Sequence, residues 1–147
     1  MIRSLKTEKI KIRVMKIEHH AQLIKLWKKT EGMGITKSDS KPELNKYLNR
    51  NRGFSFVALN SKNKIIGSVL CGHDGKRAFL YHLAVYKAYR RMGIGRDLVD
   101  KAMAKLRKLK LLKCTLFVYH DNKGGKKFWQ QLGWITRKDL AMMQLVL

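Results

Sequence analysis

Leu83-Ala84-Val85-Tyr86-Lys87-Ala88-Tyr89-Arg90-Arg91-Met92-Gly93-Ile94-Gly95-Arg96 joins the end of an apolar strand to a basic loop and a helix that begins at two glycines. A helix start leaves N–H groups unpaired and carries the positive end of the helix dipole, so it draws anions. Glycine adds room there, because no Cβ stands between the backbone and an approaching oxyanion. Arg90, Arg91 and Arg96 bring positive charge to the same point. A pyrophosphate is the ligand that fits. The spacing is not that of a dinucleotide-binding fold, whose third glycine position is Leu98 here. It is not a Walker loop either, which ends in Gly-Lys-Ser or Gly-Lys-Thr.

Working outward, residues 9–14 alternate charged and apolar side chains, the pattern of a strand with one buried face. Leu23, Ile24 and Trp27 make one helical stripe over residues 21–27, and Gly32 and Gly34 end it. Ser40 and Glu43 form a capping box for a second helix, with Pro42 tolerated in its first turn. Leu44, Tyr47 and Leu48 give that helix its apolar face. Strands are expected at residues 54–59, 65–70 and 77–86, a meander turning at 60–64 and at Asp74-Gly75. The helix at 93–110 places Ile94, Leu98, Ala102, Leu106 and Leu109 on one side. A strand at 114–119, a short helix at 123–131 and a closing strand at 140–147 complete the chain. The order β-α-α-β-β-β-α-β-α-β describes one α/β (α+β) domain over residues 1–147, with a short polar lead at 1–7.

The 147 residues fit one domain, and a hydrophobic share of 45% supports a packed core. No stretch approaches a membrane span, and the first sixteen residues lack the apolar segment of a secretory signal. Cys71 and Cys114 are the only cysteines and form no CxxC pair, which excludes a disulfide framework. A cytoplasmic protein without a membrane partner is expected. Lys and Arg number 33 and Asp and Glu 10, a net charge of +23. Such a surplus is either a solvated surface or the footprint of an acidic macromolecule.

The stretch at residues 83–96 resembles the acyl-CoA-binding motif of the GNAT family of N-acetyltransferases, R/Q-x-x-G-x-G/A, here Arg90-Arg91-Met92-Gly93-Ile94-Gly95. The strand end Leu83-Ala84-Val85 and the pair Tyr89-Arg90 match in register. Val118, Asn122, Phe128, Leu132, Gly133 and Trp134 match the family's second block, and the element order matches too. The resemblance implies a GNAT fold, a mixed and mostly antiparallel central sheet flanked by about four helices. It also implies acetyl-CoA as co-substrate and an amine acceptor that attacks the thioester directly. The backbone of Leu83, Ala84 and Val85 would pair with the pantetheine arm, residues 90–96 would hold the pyrophosphate, and Asn122 would bind the arm near the second block. The acceptor would lie against the N-terminal helices and the loop at about residues 30–40, where Glu31 and Asp39 are few carboxylates for a polyamine. A monomer or homodimer is expected.

Two positions depart from the family. Trp129 stands in the cofactor-contacting position where many members carry a Tyr that protonates the leaving thiolate, and an indole N–H does not serve as an acid. Tyr119, at the end of the adjacent strand, is the substitute. The base position holds Tyr81 and His82, and strand alternation sends them to opposite faces, so at most one meets the substrate. His19, His20, His73 and His120 are scattered, and no metal site is expected. Cys71 and Cys114 read as buried small hydrophobes. A catalytically weak binding module on nucleic acid, the ribosome or another acidic partner is the rival reading.

Overall fold

The computed structural model describes residues 8–147, so the polar lead at 1–7 lies outside the described residues. The chain forms two compact units, Met1–Phe117 and Val118–Leu147.

The first unit holds a five-stranded sheet in the order β1-β2-β3-β4-β5: Lys11–Val14, Phe56–Leu59, Ile65–His73, Ala78–Val85 and Cys114–Thr115. The first four strands pair antiparallel and β5 joins β4 in parallel. Helix α1 (His20–Lys28), helix α2 (Lys41–Arg50) and helix α3 (Ile94–Lys108) pack with it. Leu23, Leu26, Trp27 and Leu44 from α1 and α2 meet Val57, Leu70 and Ala84 in one core cluster. Helix α3 lies on the other face, where its Leu98 packs over Gly67: a Cβ there would stand 3.2 Å from Leu98 Cδ1 and 3.2 Å from the Ala84 carbonyl.

Ser40 caps α2, its Oγ accepting from the Glu43 amide at 3.4 Å. The box closes on one side only, because the Glu43 carboxylate pairs with Lys46 at 3.5 Å instead of returning to the cap. Leu109, assigned to the buried face of α3, is 49% exposed because the helix ends at Lys108.

Tyr81 and His82 do not diverge. Ser68 faces Ala84 and Leu70 faces Tyr81, so Val69 alone stands opposite both His82 and Leu83, and β4 bulges. His82 takes a left-handed φ of +49° there. The extra residue resets the alternation. As a result Tyr81 meets Tyr47 of α2 (ring centroids 6.5 Å) while His82 meets Trp27 of α1 (4.6 Å).

The second unit contains helix α4 (Lys123–Gln131). Strand β5 stops at Thr115, so Tyr119 lies beyond it, in the turn that leads to α4, and not at a strand end. The closing strand at 140–147 does not form. Its residues, apolar but for Gln144, have no ladder partner among the described residues, and β propensity alone does not hold an unpaired strand.

Candidate functional site

Only Ala78 and Phe79 of β4 pair with β5. Beyond them the outer edge of β4, through Leu83, Ala84 and Val85, has no strand partner among the described residues. An unpaired edge of this kind offers N–H and C=O groups to an extended ligand. The chain then passes through the single turn Lys87–Tyr89, where the Tyr89 hydroxyl donates to Glu8 and accepts from Asn60, both at 3.2 Å. Arg91 (φ +61°) and Gly93 (φ +79°) bend the backbone into α3.

Gly93 is the N-cap of α3, and no side chain caps the helix. Its first amides therefore remain available to an anion. A Cβ at Gly93 would meet nothing within 4 Å, so the space above the helix start is open. Ile94 buries its side chain in the core and presents only its backbone. Arg91 is exposed, Met92 is half-buried, and Gly95 is the next residue of the helix. Arg96 is exposed and lies 3.9 Å from Asp100.

Arg90 is already engaged. Its Nε donates to the Val85 carbonyl at 2.9 Å and its Nη2 to Glu31 at 3.1 Å. Glu31 also pairs with Lys87 at 3.3 Å. Its own backbone amide, then Arg90 and Lys87, hold its carboxyl below the usual carboxylate range. A cleft of about 310 Å³ lies here, between Lys29, Thr30 and Glu31 on one side and Val85, Tyr86, Lys87 and Arg90 on the other.

The bulge gathers residues that are distant in sequence. The His82 imidazole Nε2 donates to Asp39 Oδ1 at 2.8 Å. Asp39 is buried, and its Oδ2 accepts from the Thr36 amide at 2.9 Å. The Asp39 carbonyl accepts from His20 Nε2 at 2.8 Å. Trp27 Nε1 donates to Ser68 Oγ, and Ser68 donates in turn to the His82 carbonyl, both at 2.9 Å. Sequence reasoning singled out His82 but missed Asp39, Trp27 and Ser68 as its partners. The signal available was a lone acid between Thr36 and Ser40 in a basic chain. Tyr81 is 40% exposed, and burial, then Cys114, raises its phenol above the ordinary value.

In the second unit, Asn122 caps α4, its Oδ1 accepting from Gly125 at 2.9 Å. Trp129 packs between Phe128 and Trp134, each with ring centroids 5.1 Å away. Tyr119 is 65% exposed. Among the described residues no group of three or more His, Cys, Asp or Glu is placed to hold a metal ion, and no helix is long and apolar enough to cross a membrane. Cys71 and Cys114 are free thiols; Cys71 is buried as expected, whereas Cys114, on the short edge strand β5, is only half-buried.

Comparison with known proteins bears on what this arrangement is. An acetyltransferase of Sodalis glossinidius (strain morsitans) is 27% identical over 134 residues, 91% of this chain and 93% of that protein. The PaiA N-acetyltransferase of Thermoplasma acidophilum, solved in complex with coenzyme A, shares the fold with a TM-score of 0.73 at 23% identity, over 84% of this chain and 88% of that one. A GNAT-family acetyltransferase of Staphylococcus aureus Mu50 superposes with a TM-score of 0.75 at 21% identity, over 90% of both chains. The model of the acetyltransferase (GNAT) family matches residues 20–134. That span runs from the start of α1 through the bulge and the open start of α3 to Trp134, and the chain belongs to the acetyltransferase (GNAT) family.

Proposed function

We propose that this chain is an acetyl-CoA-dependent N-acetyltransferase that moves an acetyl group to a primary amine by direct attack in a ternary complex. One observation carries the reading: the edge of β4 that lacks a strand partner among the described residues leads through one turn into an uncapped helix start, with Gly93 in a left-handed conformation and open space above it. An extended thiol arm fits the edge and a pyrophosphate fits the helix start. The backbone of Leu83, Ala84 and Val85 would take the arm. The amides of residues 93–96, with the Arg91 and Arg96 side chains, would take the phosphates, and the Arg90 side chain would fasten the loop to Glu31. By the resemblance, Asn122 and Trp129 would contact the same arm.

When bound, acetyl-CoA supplies an activated acetyl thioester. His82 accepts one proton from the ammonium form of the acceptor, because only a neutral amine has a lone pair to attack with. The C–N bond forms as the C–S bond breaks, its electron pair going to sulfur. A β4 backbone N–H near the bulge steadies the oxyanion. Tyr119 gives its proton to the thiolate and regains one from the amine nitrogen by way of solvent. Tyr81 lines the acceptor side. A cytoplasmic location accords with the two free thiols.

Saturation with acetyl-CoA at a hundredfold excess over Kd should stabilise the fold by ~2.7 kcal/mol in a thermal melt. Gly93→Asp places a side chain at a positive φ and a negative charge beside the phosphates, and should abolish that shift. A melting temperature indifferent to saturating acetyl-CoA would overturn the proposal. Tyr119→Phe should lower kcat at least tenfold while acetyl-CoA affinity holds, in line with ~10²–10⁴-fold for general acid catalysis.

A further inference from the structure

We infer that Asp39 is a positioning residue that fixes the imidazole of His82 with its proton on Nε2, leaving Nδ1 bare to receive the proton of the acceptor amine. The inference rests on the N-acetyltransferase reading above. A carboxylate only accepts hydrogen bonds, so the ring nitrogen 2.8 Å from Asp39 Oδ1 carries the hydrogen. The other ring nitrogen has no partner among the described residues, and the side chain keeps 20% of its surface open. Rotation of the ring is opposed by Trp27, packed against it edge-on at 4.6 Å.

Both members of the pair are held from several directions. The Thr36 amide fixes the second carboxylate oxygen of Asp39, and His20 fixes its carbonyl. Ser68, itself held by Trp27, fixes the carbonyl of His82. The backbone of His82 sits at φ +49°, a conformation that non-glycine residues adopt at a cost and keep where the surroundings over-determine it. A structural brace alone would not need an imidazole at a strained position, since glycine would make the same bulge. The titratable groups that the packed elements bring to this ring are Asp39 and, through the Asp39 carbonyl, His20. Trp27 and Ser68 complete its surroundings.

The proton balance is simple. The amine nitrogen gives one proton to Nδ1, and the resulting imidazolium faces the Asp39 carboxylate through Nε2–H. Nδ1 later releases that proton to solvent. The charge and the tautomer are both Asp39's contribution, and removing such a partner acts on the rate through the histidine it orients.

The test combines a spectroscopic readout on the free protein with turnover. In ¹⁵N-histidine-labelled protein at a pH where the ring is neutral, His82 should show the Nε2–H form alone. Asp39→Asn, whose amide can either accept or donate, should give a mixture of the two forms. It should also lower kcat at least tenfold on the primary amines that the wild type acetylates, with KM for acetyl-CoA unchanged. In a His82→Ala background Asp39→Asn should cost nothing further, because a positioning residue acts only through its partner. An unchanged tautomer and unchanged kcat in Asp39→Asn would overturn the inference, as would an equal loss in both backgrounds, which marks a brace of the fold. Should Asp39→Asn fail to fold, Asp39→Glu keeps the charge, displaces the carboxylate and should still mix the tautomers. His82→Ala with full turnover overturns the base role while acetyl transfer stands. A wild type that acetylates no polyamine, aminoglycoside or peptide amine overturns the activity reading itself.

Discussion

Residues 83–96 and the cluster around His82 are neighbours in the chain, yet they are assembled from different distances. The proposed phosphate end is a strand edge, a turn and a helix start, all contiguous, and the groups it would offer a ligand are backbone amides. The bulge end reaches across 41 positions for the bond from Trp27 to Ser68 and across 43 for the bond from Asp39 to His82. Its chemistry is carried by side chains whose partners are set only when the sheet and helices have packed. A backbone site tolerates substitution of the side chains around it. A side-chain site made of long-range partners fails when any one of them is lost.

The largest expected effect breaks the bulge end. Trp27 is wholly buried and is the donor to Ser68. Trp27→Ala should destabilise the protein by ~3–5 kcal/mol, measured by urea unfolding, because it opens a cavity and leaves a buried hydroxyl short of a partner. Arg91→Ala, at the exposed phosphate end, should stay within ~0.5 kcal/mol of wild type. Equal losses at the two positions would erase the distinction.

Gly67 sharpens the comparison from the opposite face of the sheet. A side chain there presses on Leu98 and on the Ala84 carbonyl, which belongs to the strand end proposed to hold the thiol arm. Gly67→Val should cost ~1–3 kcal/mol by overpacking. It should also weaken acetyl-CoA binding, read by calorimetry, since the shifted backbone is the one proposed to hold the arm.

The other end of β4, where Cys71 faces Leu80 and Cys114 faces Ala78, gives a pH-dependent effect. Burial pushes the Cys71 thiol up to about 12 and that of Cys114 up to about 11, from an ordinary 9.0. Both are acids whose value is raised in the folded state, so their contribution is whole below pH 9 and is lost as pH rises toward the folded values. Stability should fall above pH 9, and Cys71→Ala should lessen that slope. Below pH 9, thiol reagents should modify the folded protein far more slowly than the unfolded chain.

What could be read in the sequence follows the same division. The alternation at residues 54–59 and 65–70, the stripe of Leu23 and Trp27, and the paired glycines Gly93 and Gly95 are local patterns, and each gave its element within a few residues. The bulge could not be read, because a one-residue mismatch between β3 and β4 is a property of two strands together. That single mismatch brings Tyr81 and His82, expected on opposite faces, to the same face. Asp39 was visible only as one of few acids in a basic loop, and its bond to His82 depends on where α1 and α2 dock. The run at 140–147 had the composition of a strand, but composition does not supply a partner.

The smallest effect tests the strain at the bulge itself. His82→Gly and His82→Ala both remove the imidazole and its bond to Asp39, so the difference between them isolates the backbone. In an ordinary strand glycine is the worse of the two by ~0.5–1 kcal/mol, because it has more freedom to lose. At φ +49° the order should invert, since alanine's Cβ meets the steric cost of the left-handed region and glycine does not. The glycine variant should therefore unfold at higher urea than the alanine variant, by a margin equivalent to about 0.5–1 kcal/mol, while neither shows the turnover of wild type. If alanine proves the more stable, the bulge holds no strain at this residue, and the imidazole sits there at no conformational cost.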